Sequence, residues 1–295
     1  MTMKTPAILD GGYASLKTAM CQVYTEPWKV ESNFTRTLAA LDEAARKGGE
    51  LAITPECVLH GYGFEGVPDY SGAMEEAAEP IDGPHLRAFR DKAIEHRMAI
   101  IVGFAEKGAS GNIHNAAAHI APNGEVLAVY RKVHCRSFER KGEGGVFVPG
   151  DEFTVHNVTG EEGTFRVGTM ICFDREVVES VRCLRALGAQ LIACPLATDT
   201  TDMSAHANHA DNEMVTRCRA AENEVFIVVV NHAGRYNGGT FAVGPGGELI
   251  YQMGKEPGVI VLDLPIGAIP DAFHREPLGW MGWGYRRPEV YGKYL

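Results

Sequence analysis

GTMICFDREVVES, residues 168 to 180, places a cysteine where a short apolar run ends and a helix-like pattern with acids in its first turn begins. A strand-to-helix corner of this kind turns the side chain at its apex outward. It also aims the next main-chain N–H groups, starting with that of Phe173, at any negative oxygen that forms there. Cys172 is then either a buried filler thiol, the usual fate of a free cysteine, or a nucleophile held at a strand end. The flanking pattern settles the fold class. FTVHNV and TFRVGTMIC read as strands before the corner, REVVESVRCLRALG as the helix after it, and QLIACP and VFIVVVN as strands separated by the helical stretch AHANHADNEMVTRCRAAEN.

The N-terminal half repeats that rhythm. A strand in LKTAMCQV (16–23) leads to a helix over 33–48 closed by glycine, then come the strand ELAITPE, a helix from Pro84 to His96 and the strand MAIIVGF. HNAAAHIA and EVLAVYRK follow as a hairpin turned by PNGE, with Asn-Gly at its centre. Strands alternating with helices, with hairpins among them, predict an α/β fold in which helices cover a mixed sheet. No shift in composition divides the 295 residues. Residues 1–295 therefore read as a single domain, with 265–295 as an extended C-terminal tail available for contacts between subunits.

Composition narrows the function. A formal charge of −10 disfavours nucleic acid and anionic membranes, which need clustered Lys and Arg, and leaves small molecules as partners. The longest late apolar run, VFIVVV, is far too short to cross a bilayer. Seven cysteines, an odd number without framework spacing, suit a compartment where thiols stay reduced, and the expected location is cytoplasmic.

A thiol attacks as thiolate and needs a base or positive field beside it. Two other strand ends offer these groups. Glu56 follows Pro55 at the end of the strand in ELAITPECVLHGYGF, an improbable place for a core carboxylate, and Lys132 follows the strand in EVLAVYRKVHC. Acid, ammonium and thiol thus each sit at a strand terminus, where α/β sheets gather functional groups.

These motifs, TPECVLHGYGF, YRKVH and GTMICFDREVVES, with VFVPGDEF, RAAENEVFIVVVN and GYRRPEVY in support, resemble the nitrilase superfamily of carbon-nitrogen hydrolases over nearly the whole chain. The resemblance implies an αββα four-layer sandwich, a homodimer or higher homo-oligomer built through the helices after Cys172 and before VFIVVV, and no metal or organic cofactor. It implies Glu56 as general base, Lys132 with the Phe173 N–H as oxyanion stabiliser, Cys172 as nucleophile, and Glu143 as a second glutamate that orients substrate and lysine. Tyr62 and Thr198 are pocket candidates by position, and Arg175 is a substrate-binding candidate whose grip on a carboxylate is weakened by Glu176. His114 stands where relatives carry an aromatic residue. The reaction implied is cleavage of a non-peptide C–N bond in a small amide or N-carbamoyl (ureido) compound, with nitrile hydrolysis and acyl transfer as alternatives.

Other readings compete. GYGFEG (61–66) matches a dinucleotide fingerprint but leads to VPDYSG rather than to a helix. His206, His209, Asp211 and Cys218 on one helix would suit a metal only weakly. Cys172 paired with His134 or His232 would be a different enzyme class, and an idle thiol in a binding module a non-enzyme.

Overall fold

The computed structural model describes residues 12–63, 67–198, 212–269 and 286–293. Beside a two-stranded pairing of β2 (Tyr24–Thr25) with β11 (Ala233–Gly234), two six-stranded sheets are built on the same plan. The first contains β1 (Leu16–Gln22), β3 (Leu51–Ile53), β4 (Ala99–Lys107), β5 (Ile113–Ile120), β6 (Val126–Arg131) and β14 (Gly258–Leu264), in the order β14-β1-β3-β4-β5-β6. The second contains β7 (Val155–Gly160), β8 (Gly163–Thr169), β9 (Leu191–Pro195), β10 (Phe226–Val230), β12 (Phe241–Val243) and β13 (Leu249–Gln252), in the order β13-β12-β10-β9-β8-β7. In each, three central parallel strands are flanked by antiparallel ones.

Alternation along the strands explains the layers. Leu16 and Met20 of β1, Leu51 and Ile53 of β3, and Ala99 and Ile101 of β4 enter one core with the second sheet. Ala19, Cys21, Ala52, Ile100 and Val102, one residue out of phase, pack instead with Leu41, Ala44, Leu86, Phe89 and Ala93 from α1 (Val30–Arg46) and α3 (Pro84–His96). On the far side, α4 (Val178–Ala186) and α5 (Asn212–Asn223) lie against each other, with α5 over β10 and β12. The architecture is therefore helix, sheet, sheet, helix, the sandwich expected from the resemblance rather than the single covered sheet read from periodicity alone. Periodicity reports that a face is buried without naming what buries it.

Two boundaries differ from expectation. Residues 266–269 do not trail away as a tail: Ile266 and Ile269 are buried in the inter-sheet core, and Gln190 donates to both of their main-chain oxygens. Residues 270–285 lie outside the described residues, and a short helix, Pro288–Tyr291, follows. The helix expected straight after Cys172 starts as a 3-10 turn, Cys172–Glu176, before α4. β8 has already ended at Thr169, and Cys172 takes a left-handed φ of 48°, which neither a strand nor an α-helix continues.

Candidate active site

Glu56 lies in the turn that leaves β3. Its main chain bridges the sheets: the Glu56 N–H donates to Leu196 O at 3.4 Å, and its carbonyl oxygen lies 2.7 Å from His232 Nε2. Gly103 of β4 passes so close beneath that a Cβ there would collide with the Pro55 oxygen and the main chain of Glu56 and Cys57. Lys132 is the residue after β6, its N–H bonded to Asn115 O at 2.8 Å across the hairpin. Both side chains are fully buried, and Lys132 Nζ donates to Glu56 Oε1 at 2.9 Å.

A second carboxylate completes the lysine's surroundings, and it is Glu139, not Glu143. Lys132 Nζ lies 2.8 Å and 2.9 Å from the two Glu139 oxygens, and the Tyr62 hydroxyl donates to Glu139 Oε1 at 2.7 Å. Glu143 is exposed and paired with Arg140 at 2.8 Å, outside this cluster. Gly145 allows the loop to fold back onto Glu139, whose carbonyl a Cβ at 145 would overlap. Asn115 was also missed: its Nδ2 donates to Glu56 Oε1 at 2.7 Å and to Glu139 Oε1 at 3.3 Å. It sits beside His114, the residue that drew notice, but the strand's alternation turns His114 the other way, where its Nδ1 meets Val148 O at 2.8 Å.

The third strand-end group lies within electrostatic range of the other two. Cys172 is 7% exposed, and its thiol lies in the fields of Glu56, Lys132, Glu139 and Arg175, 3.6 Å from Thr198 Oγ1. A non-glycine residue in the left-handed region is strained by roughly 1–3 kcal/mol, a feature concentrated at functional sites. Asp174 holds the corner. It accepts from Ile171 N–H at 3.0 Å, the Tyr130 hydroxyl at 2.7 Å and the His134 main-chain N–H at 2.8 Å, with the His134 ring 2.9 Å away. One carboxylate thus ties the Cys172 turn to the loop that follows Lys132. The Phe173 N–H has no acceptor among the described residues.

Electrostatics sort the groups into roles. Burial, with the Glu56 charge added, pushes the Cys172 thiol well up, so the resting cysteine is a thiol that must lose its proton to attack. Burial also raises the Glu56 carboxyl, Lys132 opposing and Glu139 assisting, which makes Glu56 a stronger base than an ordinary glutamate. Burial alone would raise Glu139 and lower Lys132, but their mutual attraction outweighs it: Glu139 is held below the usual carboxylate range and Lys132 well above the usual ammonium range. Glu56 Oε2 is buried with no hydrogen-bond partner among the described residues, which leaves one carboxylate oxygen able to accept a proton.

The remaining expected residues divide. Tyr62 joins the cluster through Glu139, with its ring 5.9 Å from the Lys132 ammonium, and Thr198 adjoins the thiol, fixed by reciprocal bonds with Asn231. Arg175 is buried, its main-chain oxygen held by Arg219, and its charge draws the thiol's pKa down. His134 is engaged by Asp174. His232 lies between Thr25 Oγ1 and Glu56 O, each 2.7 Å away, so the contacts of both histidines lie with other groups than the thiol.

The described part of the fingerprint GYGFEG leads to no free helix N-terminus. Gly61 continues the Glu56 turn, residues 64–66 lie outside the described residues, and the next helix, α2 (Tyr70–Ala77), is already capped by the Asp69 carboxylate. His206, His209 and Asp211 lie outside the described residues. Among the described residues, Asp42, Glu95 and His96 form the one cluster with metal-ligand spacing, and the Lys92 ammonium already bridges Asp42 and Glu95 at 2.7 and 2.9 Å. No described helix is long and apolar enough to cross a membrane.

Comparison with known proteins identifies the family. The sequence model of the carbon-nitrogen hydrolase family matches residues 17–271. The chain is 31% identical over 241 residues to an (R)-stereoselective amidase of Pseudomonas sp., covering 79% of each chain. It is 28% identical to omega-amidase NIT2 of Xenopus tropicalis, covering 90% of this chain and 94% of the relative. Among solved structures, an amidase from Nesterenkonia sp. superposes with a TM-score of 0.73 at 26% identity, covering 96% of this chain and 97% of that one. A mutant of the Nesterenkonia sp. AN1 amidase, TM-score 0.74 at 24% identity over 100% of both chains, carries the acetamide moiety of fluoroacetamide on its active-site cysteine.

Proposed function

Because the chain belongs to the carbon-nitrogen hydrolase family, we propose that it hydrolyses the C–N bond of a small non-peptide amide through an acyl-enzyme on Cys172, releasing ammonia or an amine. The observation that carries this reading is the buried Lys132 ammonium held between Glu56 and Glu139, beside a cysteine in a strained turn.

Each step follows from that arrangement. Glu56 takes the thiol proton on its free oxygen as Sγ attacks the carbonyl carbon. The carbonyl oxygen becomes an oxyanion, met by the Phe173 N–H and by the positive charge of the Lys132 ammonium, each contributing roughly 3 kcal/mol. Collapse of the tetrahedral intermediate breaks the C–N bond, and the proton on Glu56 passes to the departing nitrogen. Water then attacks the thioester, giving its proton to Glu56, and expulsion of the thiolate, reprotonated by Glu56, releases the carboxylic acid. Glu139 serves as the positioning residue for Lys132. It supplies the second negative charge that keeps the buried ammonium charged, and its bond to Tyr62 fixes its orientation.

The cytoplasmic location proposed here is one where the seven free thiols would stay reduced. Exposed Leu187 and Met214 beside and on the α4–α5 face give a second copy an apolar surface to cover, consistent with a homodimer. The deciding experiment measures ammonia release from a panel of amides, ureido acids and nitriles, with intact mass of the enzyme during turnover. We expect amide turnover and an acyl adduct, both absent in Cys172→Ala. Turnover that survives that substitution would overturn the mechanism.

A further inference from the structure

The Lys132 ammonium is not alone in bridging Glu56 and Glu139. The buried Asn115 amide does so without a charge: its Nδ2 lies 2.7 Å from Glu56 Oε1 and 3.3 Å from Glu139 Oε1, so each of its two N–H bonds has a carboxylate to meet. Its main-chain oxygen accepts the Lys132 N–H at 2.8 Å, one step beyond the Ala116–Arg131 pair of the β5–β6 ladder. On the amide's other side, the Cys57 thiol donates to Oδ1 at 3.4 Å. Cys57 directly follows the proposed base, and its left-handed φ of 46° interrupts the alternation that would send neighbouring side chains to opposite faces. Glu56 and Cys57 therefore both reach one amide.

Polarity fixes that amide in one orientation. Turned over, it would set Oδ1 against two carboxylate oxygens, whereas the orientation described pairs every donor with an acceptor. Burial, with the Glu56 charge added, pushes the Cys57 thiol well above its ordinary range, so its S–H stays in place as a donor. The consequence falls on Glu56. Oε1 accepts from both Lys132 and Asn115, and Oε2 accepts from no described residue. Rotation about the last bond of a glutamate is soft and would exchange the two oxygens. Two donors converging on Oε1 hold the carboxylate against that exchange, so an arriving proton meets Oε2.

We propose that Asn115 is a positioning residue which, oriented by the Cys57 thiol, commits one oxygen of Glu56 to the Lys132 pair and leaves the other for the proton of the reaction. This deepens the amidase reading above and rests on it. Cys57 acts here as a hydrogen-bond donor, not as a nucleophile.

Asn115→Ala should lower kcat by about 10- to 100-fold with less change in KM. The acid limb of the pH profile supplies a readout that a merely structural role would not move. The ionisable groups facing Glu56 are Lys132, Glu139, Tyr62 and the thiols of Cys57, Cys135, Cys172 and Cys194, with His232 at its main chain. Burial or ion pairing drives each of these away from the mildly acidic range, so the limb reports Glu56. The Asn115 bond lowers the Glu56 carboxyl, and Asn115→Ala should therefore move the limb of kcat/KM to higher pH, opposite to the effect of removing the Glu139 charge. Cys57→Ala should cause a smaller loss and a shift of the same sign, and Cys57→Ser, which keeps a donor, should restore most of both.

Alkylation of Cys172 by iodoacetamide, followed by mass on the peptide that contains it, reads the same limb without any amide turnover. A limb that moves up in Asn115→Ala upholds the positioning role even where wild type turns over no amide and the assignment of chemistry fails. A folded Asn115→Ala whose alkylation limb stays at the wild-type position overturns the role while leaving the amidase reading intact. Cys57→Ala indistinguishable from wild type overturns the thiol's part in it. Where Asn115→Ala does not fold, the two Cys57 variants decide in its place.

Discussion

His232 Nε2 lies 2.7 Å from the main-chain oxygen of Glu56, so a residue just after β10 of the second sheet holds the main chain of the proposed base, which follows β3 of the first. A carbonyl oxygen only accepts, which places the proton on Nε2. Nδ1, 2.7 Å from Thr25 Oγ1, then accepts the threonine hydroxyl. Burial pushes the His232 imidazole down to about 3, so this neutral tautomer persists throughout the working pH range. His232→Ala should lower kcat by about tenfold or more with little change in KM, because the base is displaced while the pocket remains. His232→Gln, whose amide can donate to the same oxygen, should recover part of the loss. Steady-state kinetics of both variants check this, and an unchanged kcat in the alanine variant would remove His232 from the role.

Glu139 and Glu143 should separate cleanly. Glu139→Gln should cost at least about 100-fold in kcat, whereas Glu143→Gln, which removes only an exposed ion pair, should stay within about twofold. The pH profile adds a sign. Glu56 must be ionised to act and its carboxyl is raised, so the acid limb of kcat/KM lies above that of an ordinary glutamate. Removing the Glu139 charge takes away one cause of that rise, so in Glu139→Gln the acid limb should move to lower pH.

Gly103→Ala tests the packing beneath the base. The new Cβ would strike the Pro55 oxygen and the Glu56 main chain, so the variant should lose about 1–3 kcal/mol of stability and a disproportionate share of activity. Urea unfolding beside the amidase assay measures both.

Acid sensitivity should trace in part to His119, which is buried between the sheets with Nε2 2.7 Å from Thr169 Oγ1. Burial holds its imidazole down to about 3, whereas the unfolded chain's histidine takes a proton near 6.5. Between those values the unfolded state binds the extra proton, so stability falls as pH drops through that window. His119→Gln should reduce the slope by about 1.4 kcal/mol per pH unit. Denaturant midpoints at several pH values from neutral to mildly acidic give the comparison. A slope unchanged by the substitution would mean that His119 does not carry this sensitivity.

The sequence by itself determined most of the elements and singled out the three side chains to which the proposed chemistry is assigned. Strand alternation and helical spacing are local, and an acid, a lysine and a cysteine at strand ends stand out because burying such groups costs free energy that a purely structural role does not return. What only the tertiary structure decided was which sheet faces which and which neighbours those three groups acquire. Glu139 rather than Glu143 reaches Lys132 because the loop folds back over Gly145. Asn115 rather than His114 reaches Glu56 because a strand turns adjacent residues to opposite faces. His232 serves Glu56 across 176 residues of chain. Spacing along a chain sets which residues can share a face, but contacts between distant segments follow from how the faces pack, and the charges and pKa shifts of this site arise from that packing.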